Sequence, residues 1–290
     1  MPQVIIDKKG IINEEKVSKN IRRKNNYQVK CLPMLKWAGG KRRLLKHLIP
    51  IIPENYTRYF EPFFGGGALF FATQPKNAML SDTNRELIEC YKYVKDSPQE
   101  VINRLRYMKN TKENYFEVRD SVPVNGLERA ARIIYLTTLS FNGIYRLNLK
   151  GEFNVPYGYK EHLNPCNEEK IMAVSKALKS AELNCCDFSE SVVAARENDL
   201  IYFDPPYAIS QGNGFVKYNS KVFTWDDQMR LSYTARELVA KGCKVIISNA
   251  DVPEIRELYT DFYCNVLERP SVIAASGEHR KKITECIFYN

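Results

Sequence analysis

Several features that mark large classes of protein are missing from this 290-residue sequence. Its eight cysteines include no C-x-x-C pair, and its three histidines do not stand near them at zinc spacing, so no zinc site is indicated. It has no run of about 18 apolar residues, and its N-terminus lacks the apolar core of a secretory signal. We therefore expect free thiols, no metal ion, no membrane span and a cytoplasmic location.

Acidic residues are the scarcer charged class. The chain has 43 Lys and Arg against 34 Asp and Glu, a net charge of +9, and residues 1–30 alone contribute +5. An excess of this sign suits a polyanionic partner such as nucleic acid. A basic run is also often plain solvated surface, so we expect only a basic N-terminal extension over residues 1–33, without an assigned role.

The tetrapeptide Asp204-Pro205-Pro206-Tyr207 follows an apolar run, 200–203, that is typical of a buried strand. The Asp204 carboxylate and the Pro205 carbonyl can accept hydrogen bonds from an exocyclic amino group, while Tyr207 offers a stacking face for a base. The two prolines stiffen the turn and remove two competing backbone donors. An ordinary strand exit would use the same residue types, so other motifs must decide.

A second motif, at residues 58–71, indicates a short strand, a glycine turn and the start of a helix. In open α/β sheets a ligand binds at the carboxyl ends of the strands, where glycines let the backbone approach it closely. Asp82 ends the next predicted strand, at the spacing expected for an acid that holds a ribose hydroxyl. The residues of this motif that we expect at the ligand are Glu61, Pro62, Phe63, Gly65 and Gly67.

The ligand predicted by this motif is a nucleoside without phosphates. The G-x-x-x-x-G-K-[ST] pattern is absent, and Glu61 would be a poor neighbour for a pyrophosphate. S-adenosylmethionine fits, since it offers a ribose, an adenine and an amino acid tail. Upstream, Trp37 offers a stacking surface, Gly39 and Gly40 a close backbone, and Lys41 an ammonium, although a basic surface turn with a partly buried tryptophan would look the same.

Taken in order, these motifs resemble those of the Dam-type DNA adenine N6-methyltransferases of the alpha group. The likeness runs from about Met34 to the C-terminus. It is carried by Trp37-Ala38-Gly39-Gly40-Lys41, Phe60-Glu61-Pro62-Phe63 with Gly65 and Gly67, Ser81-Asp82-Thr83-Asn84, Phe141 to Asn148, Gly151 to Gly158, Asp204-Pro205-Pro206-Tyr207, and Ser248-Asn249-Ala250-Asp251. Ala250 is a departure, because relatives often have histidine there.

The resemblance implies roles for particular residues. The implied DNA contacts are Asn142, Ile144, Arg146 and Tyr159, with Arg146 reading a guanine in a GATC-like site. The implied cofactor-binding residues are Trp37, Gly39, Gly40, Lys41, Glu61, Pro62, Phe63, Gly65, Gly67, Asp82 and Asp204. The implied catalytic residues are Asp204, Pro205, Pro206 and Tyr207.

We expect an α/β, Rossmann-like fold, with a mostly parallel sheet covered by helices on both faces. The catalytic domain would comprise residues 34–83 and 166–290, and end in a hairpin of strands 264–267 and 285–288 around a polar basic loop at 276–282. Helices predicted at 85–95, 99–108 and 127–139 interrupt the strand pattern. We therefore expect residues 84–165 to form an inserted, mainly helical target-recognition domain with a protruding hairpin.

The predicted reaction is a direct displacement, in which the adenine N6 attacks the sulfonium methyl group and S-adenosylhomocysteine leaves. The protein mainly aligns the reactants. An adenine inside duplex DNA cannot be reached, so it must flip out and stack on Tyr207, with Phe203 or Tyr218 as further candidates for the pocket. We expect a monomer that acts on double-stranded DNA. A cognate restriction enzyme is a possible partner, and a solitary role in repair or regulation is the alternative.

Three alternatives remain open. A methyltransferase for RNA or for protein amino groups can use a similar acceptor tetrapeptide. A nicotinamide-dependent enzyme would explain the strand, the glycines and the acid, but it would leave Asp204 to Tyr207 without a role. A non-catalytic DNA-binding relative would not need the motifs intact.

Overall fold

The computed structural model describes residues 5–6, 30–148, 150–207, 223–270 and 282–290. Most of the predicted basic extension, the candidate pocket residue Tyr218 and positions 276–281 of the polar loop lie outside these ranges. The strands are β1 (Ile5–Ile6), β2 (Tyr59–Glu61), β3 (Ala78–Asp82), β4 (Glu182–Cys185), β5 (Leu200–Phe203), β6 (Lys244–Ala250), β7 (Tyr263–Pro270) and β8 (Lys282–Tyr289).

Ten α-helices lie within the described residues. They are α1 (Leu45–Leu48), α2 (Ala68–Thr73), α3 (Arg85–Asp96), α4 (Pro98–Arg106), α5 (Lys112–Asp120), α6 (Gly126–Leu139), α7 (Glu168–Leu178), α8 (Phe188–Ser191), α9 (Trp225–Ala240) and α10 (Pro253–Leu258). Short 3-10 helices occur at Ile49–Ile51 and Phe141–Gly143. None of these helices has the length and apolar character needed to cross a membrane.

The described residues form two compact units. The first comprises residues 5–6, 50–63, 189–207, 223–270 and 282–290. Its strands lie in the order β1-β7-β8-β6-β5-β2. Strand β5 pairs in parallel with both β2 and β6, whereas β8 pairs antiparallel with β6 and β7. Every side chain of β5 is buried, which explains why its sequence is a continuous apolar run.

Two local features of the first unit fix the start of β5 and the start of α9. The Asp199 carboxylate accepts hydrogen bonds from the backbone and the guanidinium of Arg58, with its shortest ion-pair distance at 2.6 Å. This pair aligns the entries of β2 and β5. Thr224 and Asp227 form a capping box, in which each side chain accepts a hydrogen bond from the other residue's backbone.

The second unit comprises residues 30–49, 64–148 and 150–188, with β3 and β4 paired in parallel. Helix α3 begins where the Asn84 side chain accepts a hydrogen bond from Leu87 N. Its buried residues include Leu87, Ile88, Tyr91 and Val94, the face predicted from their spacing. Tyr91 packs on Phe64 with the ring centroids 4.9 Å apart, which places an aromatic core beneath the glycine turn.

The parallel core strands and their helices confirm the predicted α/β, Rossmann-like class. The predicted closing hairpin is β7 and β8, with Cys264 opposite Phe288 and Leu267 opposite Glu285. After α6, antiparallel bridges at Ser140 with Tyr157 and at Leu147 with Phe153 form the predicted second hairpin. The division into a catalytic domain and an inserted recognition domain stays a prediction.

Candidate active site

The acceptor tetrapeptide begins directly after β5. Pro205 is buried and Asp204, Pro206 and Tyr207 are half-buried, so all four residues lie at the carboxyl end of the buried strand. Phe203, the last residue of β5, is paired with Ile247 of β6. Tyr202, one residue earlier, lies with its hydroxyl 3.0 Å from that of Ser248. The Ser248 to Asp251 motif is therefore adjacent to the tetrapeptide, because each motif begins one residue after the paired positions Phe203 and Ile247 of two parallel strands.

Gln228 holds the second half of the tetrapeptide. Its side-chain amide, which is fully buried on α9, donates a hydrogen bond to the Pro206 carbonyl at 3.2 Å. The amide of Asn249 in turn donates to the Gln228 side-chain oxygen at 2.9 Å. A chain of two buried amides therefore fixes the carbonyl that follows the Pro205 acceptor. Sequence analysis missed Gln228, although it lies one helical turn after the Thr224 cap.

Phe63, Glu61 and Pro62 lie at the end of β2. The half-buried Phe63 ring meets Phe203 edge-on with 6.3 Å between ring centroids, and Phe223 with 5.5 Å between them. Glu61 and Pro62 are buried, and Glu61 accepts a hydrogen bond of 2.7 Å from the Tyr59 hydroxyl. Of the three, Phe63 thus offers the most side-chain surface to a ligand.

In the second unit, Trp37, Gly65 and Asp82 lie together. One Asp82 oxygen accepts a hydrogen bond from Gly65 N at 2.9 Å, and the other accepts one from Asn84 N at 2.9 Å. Gly65 has a φ of +46°, and a Cβ there would lie 2.9 Å from the Trp37 ring. The glycine is therefore required both by the backbone conformation and by the close approach of the tryptophan.

The Asp82 carboxylate retains unused hydrogen-bond acceptor capacity. Each carboxylate oxygen has two lone-pair sites and uses one on a backbone N–H, so both can also accept a hydroxyl. Burial raises the pKa of Asp82, and the two backbone hydrogen bonds offset part of that rise. Such a site suits two vicinal hydroxyl donors, as on a ribose.

The segment around Lys41 forms a compact turn. Gly40 N donates to the Trp37 carbonyl at 3.1 Å, and the buried Lys41 ammonium donates to the Gly39 carbonyl at 2.9 Å. Gly39 has a φ of +79°, a conformation that favours glycine. Gly67, at the start of α2, has a φ of +64°, and a Cβ there would collide with the Phe64 ring at 2.5 Å. The close approach of the Phe64 ring therefore requires glycine at position 67.

The residues predicted to contact DNA lie on the second hairpin and its flanks. Asn142, Ile144 and Tyr159 are exposed, with Tyr159 retaining 66% of its surface. The Arg146 guanidinium donates to the Asn154 side chain at 2.8 Å and to the Asn154 carbonyl at 3.2 Å. These hydrogen bonds orient the guanidinium. Because arginine has five N–H donors, others remain available for a further hydrogen bond.

Tyr145, which sequence analysis did not single out, links the hairpin to the segment around Trp37. Its ring stacks on Trp37 with the centroids 4.7 Å apart, and its hydroxyl donates to Glu86 on α3. The eight cysteines are free thiols. Across the described ranges, no group of His, Cys, Asp and Glu side chains is arranged to hold a metal ion.

Over most of its length the chain matches a known protein family. The model of a family described as D12 class N6 adenine-specific DNA methyltransferase matches residues 37–272. The match spans all the motifs described above, from Trp37 to the Ser248 to Asp251 segment.

Curated proteins similar to this chain carry concordant names. The type II methyltransferase M1.LlaDCHI of Lactococcus lactis is 40% identical, covering 93% of this chain and 99% of its own. The type II methyltransferase M.MjaIII of Methanocaldococcus jannaschii is 35% identical, with coverage of 89% and 98%. The DNA adenine methylase of Escherichia coli is 33% identical, with coverage of 87% and 93%.

A solved structure from Streptococcus pyogenes, described as a conserved hypothetical protein, aligns with 84% of this chain and 92% of its own. Its identity is 13% and its TM-score is 0.33. A likeness this low carries no argument about fold or function.

Proposed function

Because this chain belongs to the D12 class N6 adenine-specific DNA methyltransferase family, we propose that it methylates the N6 of adenine in duplex DNA at GATC-like sites, with S-adenosylmethionine as the methyl donor. The observation that carries the proposal is the tetrapeptide Asp204 to Tyr207 at the end of a wholly buried strand, with its Pro206 carbonyl held by Gln228. Because the buried strand and the Gln228 hydrogen bond hold this segment in place, its hydrogen-bond acceptors are preorganised for an amino group.

Asp204 and the Pro205 carbonyl are the proposed acceptors for the N6 amino group. As nitrogen loses its lone pair to the methyl carbon, positive charge develops on it, and a carboxylate nearby stabilises that charge more than it stabilises the neutral amine. Tyr207 supplies the stacking face for an adenine that has flipped out of the duplex. Phe63 and Phe203 form an apolar edge beside these groups.

The cofactor-binding set fits S-adenosylmethionine, which when bound would supply an activated methyl group on its sulfonium. Asp82 holds two acceptor positions suited to ribose hydroxyls, and Gly65 allows the backbone to approach. Trp37 offers an aromatic face, and the Lys41 ammonium suits the carboxylate of the amino acid tail. Further proposed contacts are Gly39, Gly40, Glu61, Pro62, Phe63, Gly67 and Asp204.

We assign residues 34–83 and 166–290 to cofactor binding and catalysis, and residues 84–165 to target recognition through Asn142, Ile144, Arg146 and the adjoining Tyr159. A monomer suffices, since all the proposed contacts come from one chain. A cognate restriction enzyme is a proposed partner because two of the relatives are named type II methyltransferases.

The test uses purified protein with S-adenosylmethionine carrying a labelled methyl group. Duplex DNA, ribosomal RNA and a protein mixture are offered separately, and the labelled product is digested and identified by mass spectrometry. We expect N6-methyladenine from DNA alone. Label that appears in RNA or protein, and not in DNA, would overturn the proposed substrate.

A further inference from the structure

We propose that a cation-lined cavity in the second unit binds a backbone phosphate of the DNA substrate. The cavity has a volume of about 310 Å³, and three of its lining residues, Lys36, Arg42 and Lys170, are cations. Asn164 and Asn167 add polar lining groups. The proposal rests on DNA as the substrate and extends the function proposed above.

The residues that line this cavity carry an excess of positive charge. No Asp or Glu lines the cavity, and these three cations have no carboxylate within ion-pair distance among the residues that the structure describes. Burial lowers the pKa of Lys170, and the charges of Arg42 and Lys36 lower it further. The positive charges of these three side chains repel one another, and an anion bound between them would relieve that repulsion.

The start of α7 contributes in the same direction. Asn167 lines the cavity and caps this 11-residue helix by accepting a hydrogen bond from Lys170 N. The amino end of a helix carries partial positive charge, which favours an anion nearby. Glu168 and Glu169 in the first turn of α7 oppose this effect, although Glu168 is paired with Arg106, so the three cationic side chains supply most of the attraction.

The cavity adjoins the segment proposed to read DNA. Gly143 lies between Asn142 and Ile144, and a Cβ on it would be 2.5 Å from the Lys36 side chain. Lys160, next to Tyr159, donates to the Ser140 carbonyl at 2.8 Å, and its pKa is lowered by burial and then by Lys36. A duplex on this segment would bring its backbone to the same basic region.

The amino acid tail of S-adenosylmethionine is a poorer match for this cavity. That tail carries an ammonium and ends at a sulfonium, and three cations without carboxylate partners would repel both. Lys41, the cation proposed for its carboxylate, is not among the lining residues, although Trp37 and Gly40 of the proposed cofactor-binding set do line the cavity. A phosphodiester has one negative charge and no positive group, so it matches the charge of the cavity.

The test measures how DNA affinity depends on salt. Each phosphate neutralised on B-DNA contributes about 0.9 to the slope of log affinity against log salt. Fluorescence anisotropy gives the affinity for a short GATC duplex and for the same duplex with that site scrambled, over a series of salt concentrations. For the double variant Arg42→Ala and Lys170→Ala we expect the slope to fall by about 0.9, with both duplexes weakened alike.

Lys176→Ala is the matched control, because Lys176 is exposed on the same helix and does not line the cavity. Its slope should equal that of the wild type. If it falls as far as that of the double variant, general charge explains the effect and the proposal is wrong. A double variant with an unchanged slope also overturns it, as does one that loses S-adenosylmethionine affinity while keeping its slope.

Two further measurements keep the result interpretable. Circular dichroism checks that the variants fold, and Arg42→Gln with Lys170→Gln replaces the alanine pair if they do not. The slope is an equilibrium quantity and needs no turnover. Wild-type protein that binds DNA but transfers no methyl group would contradict the proposed function, whereas an unchanged slope would contradict only the phosphate site.

Discussion

At the scale of single residues, Asp204 carries the largest share of the proposed chemistry. Its carboxylate directly follows a strand whose four residues are all buried. We predict that Asp204→Ala lowers methyl transfer by about 100-fold or more, the effect of losing one preorganised electrostatic group. Single-turnover measurements with saturating DNA and cofactor isolate the chemical step.

Asp261→Ala is a suitable control for that experiment. Asp261 is an exposed aspartate of the same unit, where it pairs with Arg236. Its single-turnover rate should match that of the wild type. A folded Asp204→Ala protein with a near-normal rate would eliminate Asp204 as the acceptor.

We predict that Gln228 influences the same step through its hydrogen bond to the Pro206 carbonyl. Gln228→Leu keeps a similar volume but removes the donor to the Pro206 carbonyl and the acceptor for Asn249, two buried groups. We expect a fall of roughly tenfold in the single-turnover rate, equivalent to about 1.4 kcal/mol, with DNA and cofactor affinities unchanged. The exposed Gln99→Leu should have no effect. Equal losses of cofactor affinity and of rate in Gln228→Leu would indicate a general structural role instead.

Asp82 should control cofactor affinity and its pH dependence. Asp82→Ala removes the proposed ribose acceptor, and we expect a loss of about 1 to 3 kcal/mol in S-adenosylmethionine binding. Because burial raises the pKa of Asp82, its ionised form is lost at a higher pH than that of an ordinary aspartate as the solution is acidified. Affinity in the wild type should therefore weaken on acidification through that pKa, and the variant should lack this dependence in isothermal titration calorimetry.

At the scale of elements, the hairpin after α6 is where sequence specificity is expected. Asn154 fixes the Arg146 guanidinium on this hairpin. We predict that Arg146→Ala reduces discrimination at one guanine by about 1 to 3 kcal/mol. The measurement is the methylation rate on a set of duplexes with single base substitutions.

Lys150, exposed on the same hairpin, provides the contrast. Lys150→Ala removes a charge that suits a phosphate contact, so all sequences should weaken alike. If Arg146→Ala gives that uniform pattern as well, its role is contact with the DNA backbone and not base readout.

Most strands of the sheet were predictable because their composition is distinctive. Strand β5 is a short apolar run bounded by polar residues. The closing hairpin was predicted as 264–267 and 285–288, and the structure extends it to Tyr263–Pro270 and Lys282–Tyr289. Strand β4 was missed, since three of its four residues are exposed and its sequence, Glu-Leu-Asn-Cys, has no apolar run. Helix α9 was also missed, although its capping box, Thr224 with Asp227, is a recognisable start signal.

The candidate site was predictable where it depends on local sequence. The glycine turn and Asp82 were expected to cooperate, and Gly65 N does donate to Asp82. Gln228 could not be found in this way, because it lies 22 residues from Pro206 in the chain. A buried glutamine on a helix has no periodic signature, and only the tertiary structure brings its amide to a proline carbonyl.

At the scale of the whole molecule, the distribution of charge suits a polyanionic substrate. The net charge of +9 includes +5 from residues 1–30, so the remaining 260 residues have a net charge of only +4. DNA binding by residues 31–290 must therefore depend on where their cations lie more than on their number. The cluster of Lys36, Arg42 and Lys170 is one such local concentration.

Under the proposed function, methylation at a particular target sequence requires both the hairpin and Asp204. We expect expression in a host that lacks adenine methylation to produce N6-methyladenine at GATC-like sites, detected by sequencing with modified-base detection. Expression of Asp204→Ala at the same level should leave the host DNA unmethylated, which excludes host enzymes as the source. Methylation confined to an unrelated sequence would support adenine methylation but contradict the proposed GATC-like specificity. Because Arg146 is proposed to read a base near the target, a fixed base context around every modified adenine is the expected pattern. Scattered modification without such a context would contradict readout by Arg146.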